Sequence, residues 1–140
     1  MKNETKMPRG TETVLLVEDD ETVRRVTRMI LEDLGYRTLS ADCGAQASKL
    51  NRSFNGEIHL LLSDIMMPDG NGVVWATRIR RDRPSLSTLF MSAYTPEALC
   101  NEGVPDPRPH FLQKPFRPDV LAQRIRDILD SPVRDDKPVA

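Results

Sequence analysis

The residue types best suited to chemistry in this 140-residue sequence each stand at the end of a short apolar run. Asp64 follows three leucines and a serine, and a loop rich in proline and glycine comes after it. The next helix starts near Asn71 or Gly72, too far along the chain for Asp64 to cap it. We therefore interpret Asp64 as the functional centre. The other polar residues in such positions are two acids, a hydroxyl and an amine: Glu18, Asp19, Ser92 and Lys114.

These side chains together are suited to phosphate chemistry. Glu18, Asp19 and Asp64 would repel one another in one crevice unless protons or a cation joined them. Because such a set offers only oxygen ligands, it favours a hard cation, Mg²⁺ before Ca²⁺. Lys114 would supply a point charge for an anion, and Ser92 a hydroxyl donor to it. A carboxylate in this company is arranged to accept a phosphoryl group, since positioning and charge stabilisation dominate that transfer.

An alternation of strands and helices is needed to bring these residues together, and the hydrophobic pattern predicts one. The predicted strands are Val14–Val17, Tyr36–Ala41, Ile58–Ser63, Leu86–Met91 and His110–Gln113. The predicted helices are Glu21–Leu34, Gly44–Arg52, Gly72–Arg81, a short one from Thr95 or Pro96 that ends by Gly103, and Pro118–Leu129. This alternation indicates an α/β fold with a parallel sheet and right-handed connections. The carboxyl ends of its strands share one edge, where ligands bind.

Apolar spacing within two of the helices also predicts the side that faces the core. In the first helix the spacing selects Val23, Val26, Ile30 and Leu34. In the third helix it selects Val73, Val74, Ala76 and Ile79. We expect both sets to be buried against the sheet.

The composition is that of one globular domain, with 39% hydrophobic and 29% charged residues. We expect a flexible lead-in at 1–11, the domain at 12–130 and a flexible tail at 131–140. A net charge of -1 gives no bulk attraction to nucleic acid or to an acidic membrane. The polar start is no signal peptide, no apolar run spans a membrane, and the two cysteines lack metal-ligand spacing. We therefore expect a cytoplasmic protein that contacts neither nucleic acid nor membrane.

Four segments, in this order, resemble the receiver domain of two-component response regulators over most of the chain, from about Glu12 to Asp130. They are similar to the family's acidic pair, phospho-acceptor segment, switch hydroxyl and signature lysine with its proline. The segments are Val14–Asp20, Ser63–Pro68 with Gly72, Phe90–Ala93 and Lys114–Phe116. Each motif is weak alone, but four in the correct order on the correct elements are specific.

The resemblance implies a doubly wound, five-stranded parallel sheet of flavodoxin-like order 2-1-3-4-5, with helices on both faces. It implies that Asp64 takes a phosphoryl group from a histidine kinase or a histidine phosphotransfer protein. It also implies a Mg²⁺ site formed by Glu18, Asp19, Asp64 and the backbone carbonyl of Met66.

The resemblance further implies how the phosphorylated state would be read out. Ser92 would turn toward the phosphoryl group, Lys114 would bridge to it, and the Lys114–Pro115 bond would be cis. Phe111 occupies the aromatic switch position, where a phenylalanine can report burial but has no hydroxyl to exchange hydrogen-bond partners. Such a module catalyses only its own phosphorylation and dephosphorylation, and its output is a changed surface for partner binding.

The segment from Thr95 to Pro109 is short and proline-rich for the family's fourth helix. Together with the Phe-Leu-Gln-Lys-Pro-Phe ending of the last strand, it is similar to receivers attached to hybrid sensor kinases. We therefore expect a monomer or a weak dimer, acting on a separate effector protein or within a larger parent chain. The sequence does not identify that effector.

Three other functions fit the sequence less well. A degenerate receiver that only binds proteins would not need the intact acidic set. An aspartyl-nucleophile phosphatase usually carries a second aspartate two residues after the nucleophile, and Met66 stands there. A flavodoxin-like FMN protein needs a phosphate-binding loop after the first strand, where the three acids of residues 18–20 would repel the phosphate.

Overall fold

One parallel sheet with helices on both faces forms the domain in a computed structural model that describes residues 7–131. The strands are β1 Thr13–Val17, β2 Arg37–Ala41, β3 Leu60–Asp64, β4 Ser87–Ser92 and β5 Phe111–Gln113. The helices are α1 Glu21–Asp33, α2 Gly44–Ser53, α3 Gly72–Asp82, α4 Pro96–Asn101 and α5 Pro118–Leu129. The strand order is β2-β1-β3-β4-β5, so the predicted fold class is confirmed. The predicted bounds agree to within two residues, the usual scatter at element ends.

The register of the parallel strands brings their carboxyl ends to one edge of the sheet. Val17 pairs with Ser63, and Asp64 pairs with Met91. The residues that directly follow β1 and β5 therefore lie near the last residues of β3 and β4. This placement follows from parallel pairing alone, before any side chain is considered.

Two apolar layers cover the faces of the sheet, and the central strands contribute to both. In β1, Val14 and Leu16 pack in the layer under α1 and α5, whereas Leu15 and Val17 pack under α2, α3 and α4. Alternate residues of a strand point to opposite faces, so a strand covered on both faces reads as an unbroken apolar run. None of the helices within residues 7–131 is long and apolar enough to cross a membrane.

The predicted core sides of α1 and α3 are wrong in part. Of the side predicted for α1, Leu34 just after the helix is buried and Ile30 packs against the core, but Val26 is 51% exposed. The fully buried positions within α1 are Thr27 and Leu31, which were not predicted. In α3, Ala76 and Ile79 are buried as predicted, but Val74 is 40% exposed. Both helices carry apolar residues around more than one stripe, so spacing alone allowed two neighbouring faces, and packing against the sheet selected one.

An ion-pair network attaches the last helix to the start of the domain. Arg126 donates to Glu12 Oε2 at 2.7 Å, to Asp130 Oδ1 at 2.8 Å and to the Tyr36 hydroxyl at 3.2 Å. The backbone N–H of Gly10 donates to the Leu34 carbonyl at 3.0 Å. The bonds from Arg126 hold the pKa of Glu12 down at about 2, although burial opposes this. Residues 1–6 and 132–140 lie outside the described residues, so the predicted flexible ends stay predictions.

Replacing Glu12 by Gln removes the charge that Arg126 binds, and we expect the free energy of unfolding at pH 7 to fall by about 1–2 kcal/mol. The folded pKa of Glu12 is about 2, below the ordinary 4.5. The contribution of this charge is therefore complete above about pH 4.5 and is lost as the pH falls toward 2. Urea unfolding of both proteins across this range measures the difference.

The matched control is Glu32→Gln. Glu32 also accepts from an arginine, at 2.9 Å from Arg28, but both side chains are 48% exposed. A pair in such contact with water contributes little, so we expect a change within about 0.5 kcal/mol. A difference for Glu12→Gln that stays constant with pH would mean that Glu12 acts through its shape and not through its charge.

Candidate functional site

Three carboxylates meet at the edge where β1 and β3 end. Glu18 and Asp19 directly follow β1, and Asp64 is the last residue of β3. One oxygen of each side chain lies within 4.8 Å of the others. Glu18 is only 1% exposed and Asp64 7%, whereas Asp19 is open to solvent. The structure thus brings together the three acids that the sequence analysis selected.

Lys114 is the cation of the site. Its Nζ donates to Glu18 Oε1 at 2.6 Å and to Asp64 Oδ2 at 3.2 Å, and its side chain is 19% exposed. The backbone N–H of Lys114 donates to the Ser92 carbonyl at 2.8 Å, which extends the pairing of β4 with β5. The Lys114–Pro115 peptide bond is cis, as the resemblance implies.

Burial and the close approach of like and opposite charges shift the pKa values in this cluster. Burial is the largest effect on Glu18 and raises its pKa, and the charge of Asp64 adds to the increase, while the bond from Lys114 opposes both. Burial would lower the pKa of Lys114, but the bonds to Glu18 and Asp64 outweigh it and raise the pKa. The two pKa values thus rise for different reasons, burial at Glu18 and the contacts with the carboxylates at Lys114. Lys114 stays charged, and the site favours a further cation.

Ser92 ends β4 at the same edge and is 1% exposed. Its Oγ accepts the backbone N–H of Tyr94 at 3.0 Å, which leaves the hydroxyl proton available to another acceptor. Phe111, the other residue of the expected switch, starts β5 and is 9% exposed in the layer under α2, α3 and α4. Phe111 is therefore part of the core, and its switch role stays a prediction.

The loop after Asp64 forms a short hairpin in which Met66 pairs with Asn71. Gly72 follows it, and its N–H donates to the Ile65 carbonyl at 2.8 Å. A Cβ at Gly72 would overlap the Asp64 carbonyl oxygen, so only glycine allows the loop to close this near the site. Met66, the expected backbone ligand, lies in this hairpin two residues after Asp64.

Two polar residues near the site were missed by the sequence analysis. The Gln113 side chain donates to the Ala93 carbonyl at 2.7 Å, and so attaches the end of β5 to the loop after Ser92. Asp69 accepts two backbone N–H groups from the start of α2. The available signals were a polar residue directly before Lys114 and the lack of a capping residue type at Cys43, just before α2.

Comparisons with known proteins agree with this geometry. Residues 14–126 match the family model described as the response regulator receiver domain. The chain is 31% identical over 121 residues to the sensor kinase CckA of Brucella abortus, covering 86% of this chain but 13% of that protein. It is 33% identical over 116 residues to the response regulator receiver protein CpdR of the same species, covering 83% of this chain and 95% of that protein. A crystal structure of the receiver domain of hybrid histidine kinase CckA has a TM-score of 0.70 at 32% identity, covering 84% of this chain and 98% of that one.

Proposed function

Because the chain belongs to the response regulator receiver domain family, we propose that Asp64 accepts a phosphoryl group from a phosphohistidine. Receiver domains of two-component systems interact with histidine kinases or phosphotransfer proteins, and we propose such a protein as the donor. The observation that carries the assignment is the cluster of Asp64 with Glu18, Asp19 and Lys114 at the strand edge. Of the three acids, Asp64 alone is the last residue of the central strand β3. It contacts Lys114 from that position.

The donor set fits the Mg²⁺ that receiver domains generally bind at an acidic pocket. All three side chains offer hard carboxylate oxygens. Burial, with a smaller effect from the charge of Asp64, raises the pKa of Glu18, and the bonds to Glu18 and Asp64 raise the pKa of Lys114. We propose that Glu18, Asp19, Asp64 and the Met66 carbonyl hold the ion. When bound, Mg²⁺ supplies positive charge for the phosphoryl oxygens during transfer.

The reaction exchanges one bond to phosphorus for another. A carboxylate oxygen of Asp64 forms the new P–O bond, the P–N bond of the phosphohistidine breaks, and the electron pair returns to the imidazole. Lys114 stays protonated, and its ammonium group, 3.2 Å from Asp64 Oδ2, can hold a phosphoryl oxygen after transfer. The hydroxyl of Ser92 can donate its proton in a hydrogen bond to a second phosphoryl oxygen. Attack of water on phosphorus would break the P–O bond to Asp64, release inorganic phosphate and restore the carboxylate.

An apolar groove beside Lys114 supports docking of a helical donor. It is lined by Val23, Val26 and Ile30 of α1 and by Pro115 and Phe116. Val26 is 51% exposed and lies beside the other apolar residues of the groove. An exposed apolar group of this kind is typical of an interaction surface. A donor helix on this groove would place its histidine next to Asp64, as transfer requires.

The setting of the domain is a proposal as well. The chain spans 13% of sensor kinase CckA but 95% of CpdR, so it resembles both a module of a hybrid kinase and a free receiver. We propose that phosphorylation changes a surface that a separate effector or a parent chain reads. Cys43 and Cys100 are free thiols, which supports a reducing, cytoplasmic location.

The test is intact mass after incubation with acetyl phosphate, with Mg²⁺ or with EDTA. We expect one phosphoryl group with Mg²⁺ and none with EDTA, and we expect hydroxylamine to remove it, as it does an acyl phosphate. A histidine-phosphorylated phosphotransfer protein serves as a second donor. If neither donor transfers a group and Mg²⁺ leaves the Trp75 fluorescence unchanged, the protein is a degenerate receiver that only binds partners.

A further inference from the structure

The loop after the proposed phospho-acceptor is attached to a helix distant in sequence. The Asp69 carboxylate accepts the backbone N–H groups of Gly44 at 3.0 Å and Ala45 at 2.9 Å. N–H groups in the first turn of a helix have no partner within the helix. Cys43, in the N-cap position of α2, makes no side-chain bond to them. A residue of the loop between β3 and α3 therefore provides the missing cap of α2.

A second attachment holds the same loop to α3. Trp75 Nε1 donates to the Asp69 carbonyl at 3.0 Å. The indole lies directly on the start of α2, because Gly44 has no Cβ and one placed there would overlap the ring. Gly70, at φ +129°, closes the turn formed by residues 68 and 69, a conformation that favours glycine. The side chain of Asp69 thus binds α2 while its backbone binds α3.

We infer that Asp69 is a positioning residue that fixes the loop so that the Met66 carbonyl stays at the metal site. This inference depends on the proposed function, which assigns that carbonyl to Mg²⁺. Met66 begins the first arm of the short hairpin, and Asp69 lies three residues later, in the turn between the two arms. Holding the turn of so short a hairpin restricts the arm that carries Met66.

The physical effect is preorganisation. Without the carboxylate, water can bind the α2 N–H groups, and the loop gains conformations in which the Met66 carbonyl is turned away. Mg²⁺ binds fully only when the Met66 carbonyl faces the site. The apparent Kd therefore rises as the fraction of molecules in that conformation falls.

The experiment is Mg²⁺ titration by calorimetry of the wild type, Asp69→Ala and Asp69→Asn, well below every melting temperature. We expect Asp69→Ala to raise the Kd for Mg²⁺ roughly 3- to 10-fold. Asn keeps one side-chain oxygen that can accept from Ala45 or Gly44, so we expect Asp69→Asn to lie nearer to the wild type. Glu12→Gln is the control, because it destabilises the domain far from this loop and should leave the Kd unchanged.

Each result has one reading. If Asp69→Ala lowers the melting temperature but leaves the Kd within twofold of the wild type, Asp69 is only a helix cap and the inference is wrong. If Asp69→Asn binds as weakly as Asp69→Ala, the lost negative charge explains the change, and positioning does not. A wild type that binds no Mg²⁺ would remove the proposed metal site itself, which separates that failure from the failure of Asp69.

Discussion

We expect Asp64→Asn to reduce phosphoryl uptake from either donor by at least about 1,000-fold, the scale seen when a nucleophile is removed. Asn has nearly the same shape as Asp, but its amide oxygen carries no charge and is a very weak nucleophile toward phosphorus. The strand that ends at position 64 and the loop after it need no rearrangement, so we expect the fold to stay intact. Intact mass after incubation, in parallel with the wild type, measures the loss.

Asp20→Asn is the matched control for this experiment. Asp20 lies directly after the acidic pair, but its Oδ1 accepts the N–H of Val23 at 3.0 Å as the N-cap of α1. Asn caps a helix as well as Asp does, so we expect this variant to keep its stability and its phosphoryl uptake. If Asp64→Asn still took up the phosphoryl group and Asp20→Asn did not, Asp64 would not be the acceptor and the assignment would be wrong.

Lys114→Met separates metal binding from phosphoryl transfer. Met fills similar volume but brings no charge, so we expect transfer to fall about 100-fold, the size of the effect when one stabilising donor is removed. Mg²⁺ binding should instead become tighter, by roughly 3- to 10-fold, because Lys114 no longer competes for Glu18 and Asp64. Transfer rates from acetyl phosphate and calorimetric titration of Mg²⁺ measure the two effects on one sample.

The control for Lys114→Met is Arg117→Met, which removes an exposed cation of the same segment. Arg117 pairs with Asp119, but the two side chains are 78% and 51% exposed. We expect neither transfer nor Mg²⁺ affinity to change. Weaker Mg²⁺ binding in Lys114→Met would mean that Lys114 acts mainly by holding the two carboxylates in place, and that it does not compete with the ion.

The residues at the carboxyl ends of the strands could be predicted from the sequence because each strand end is a local feature of the chain. An apolar run, the polar residue that ends it and the glycine or proline after it are neighbours in sequence, as at Asp64 and at Lys114. Parallel pairing then brings such residues to one edge without further information. Mg²⁺ ligation by Met66 and a switch role for Phe111 rest on the resemblance alone and stay predictions.

The core side of α1 could not be chosen from spacing. The predicted side contains Val26, which is exposed, whereas its neighbour Thr27 is buried together with Leu31. The outcome depends on how α1 packs beside α5 on the sheet, which no local pattern contains. Val26 instead lines the groove proposed for the donor, together with Val23 and Ile30.

By itself, the sequence determined the fold class, the order of the elements and the set of acids with their lysine, because period, strand ends and turn residues are local. Only the tertiary structure decided which stripe of α1 is buried, that Arg126 binds Glu12, and that Asp69 caps α2. The last two contacts join residues 114 and 25 or 24 positions apart. Such contacts exist only when packed elements bring distant segments together, and their residue types are ordinary for an exposed surface. For that reason they are found from the structure and not from the chain.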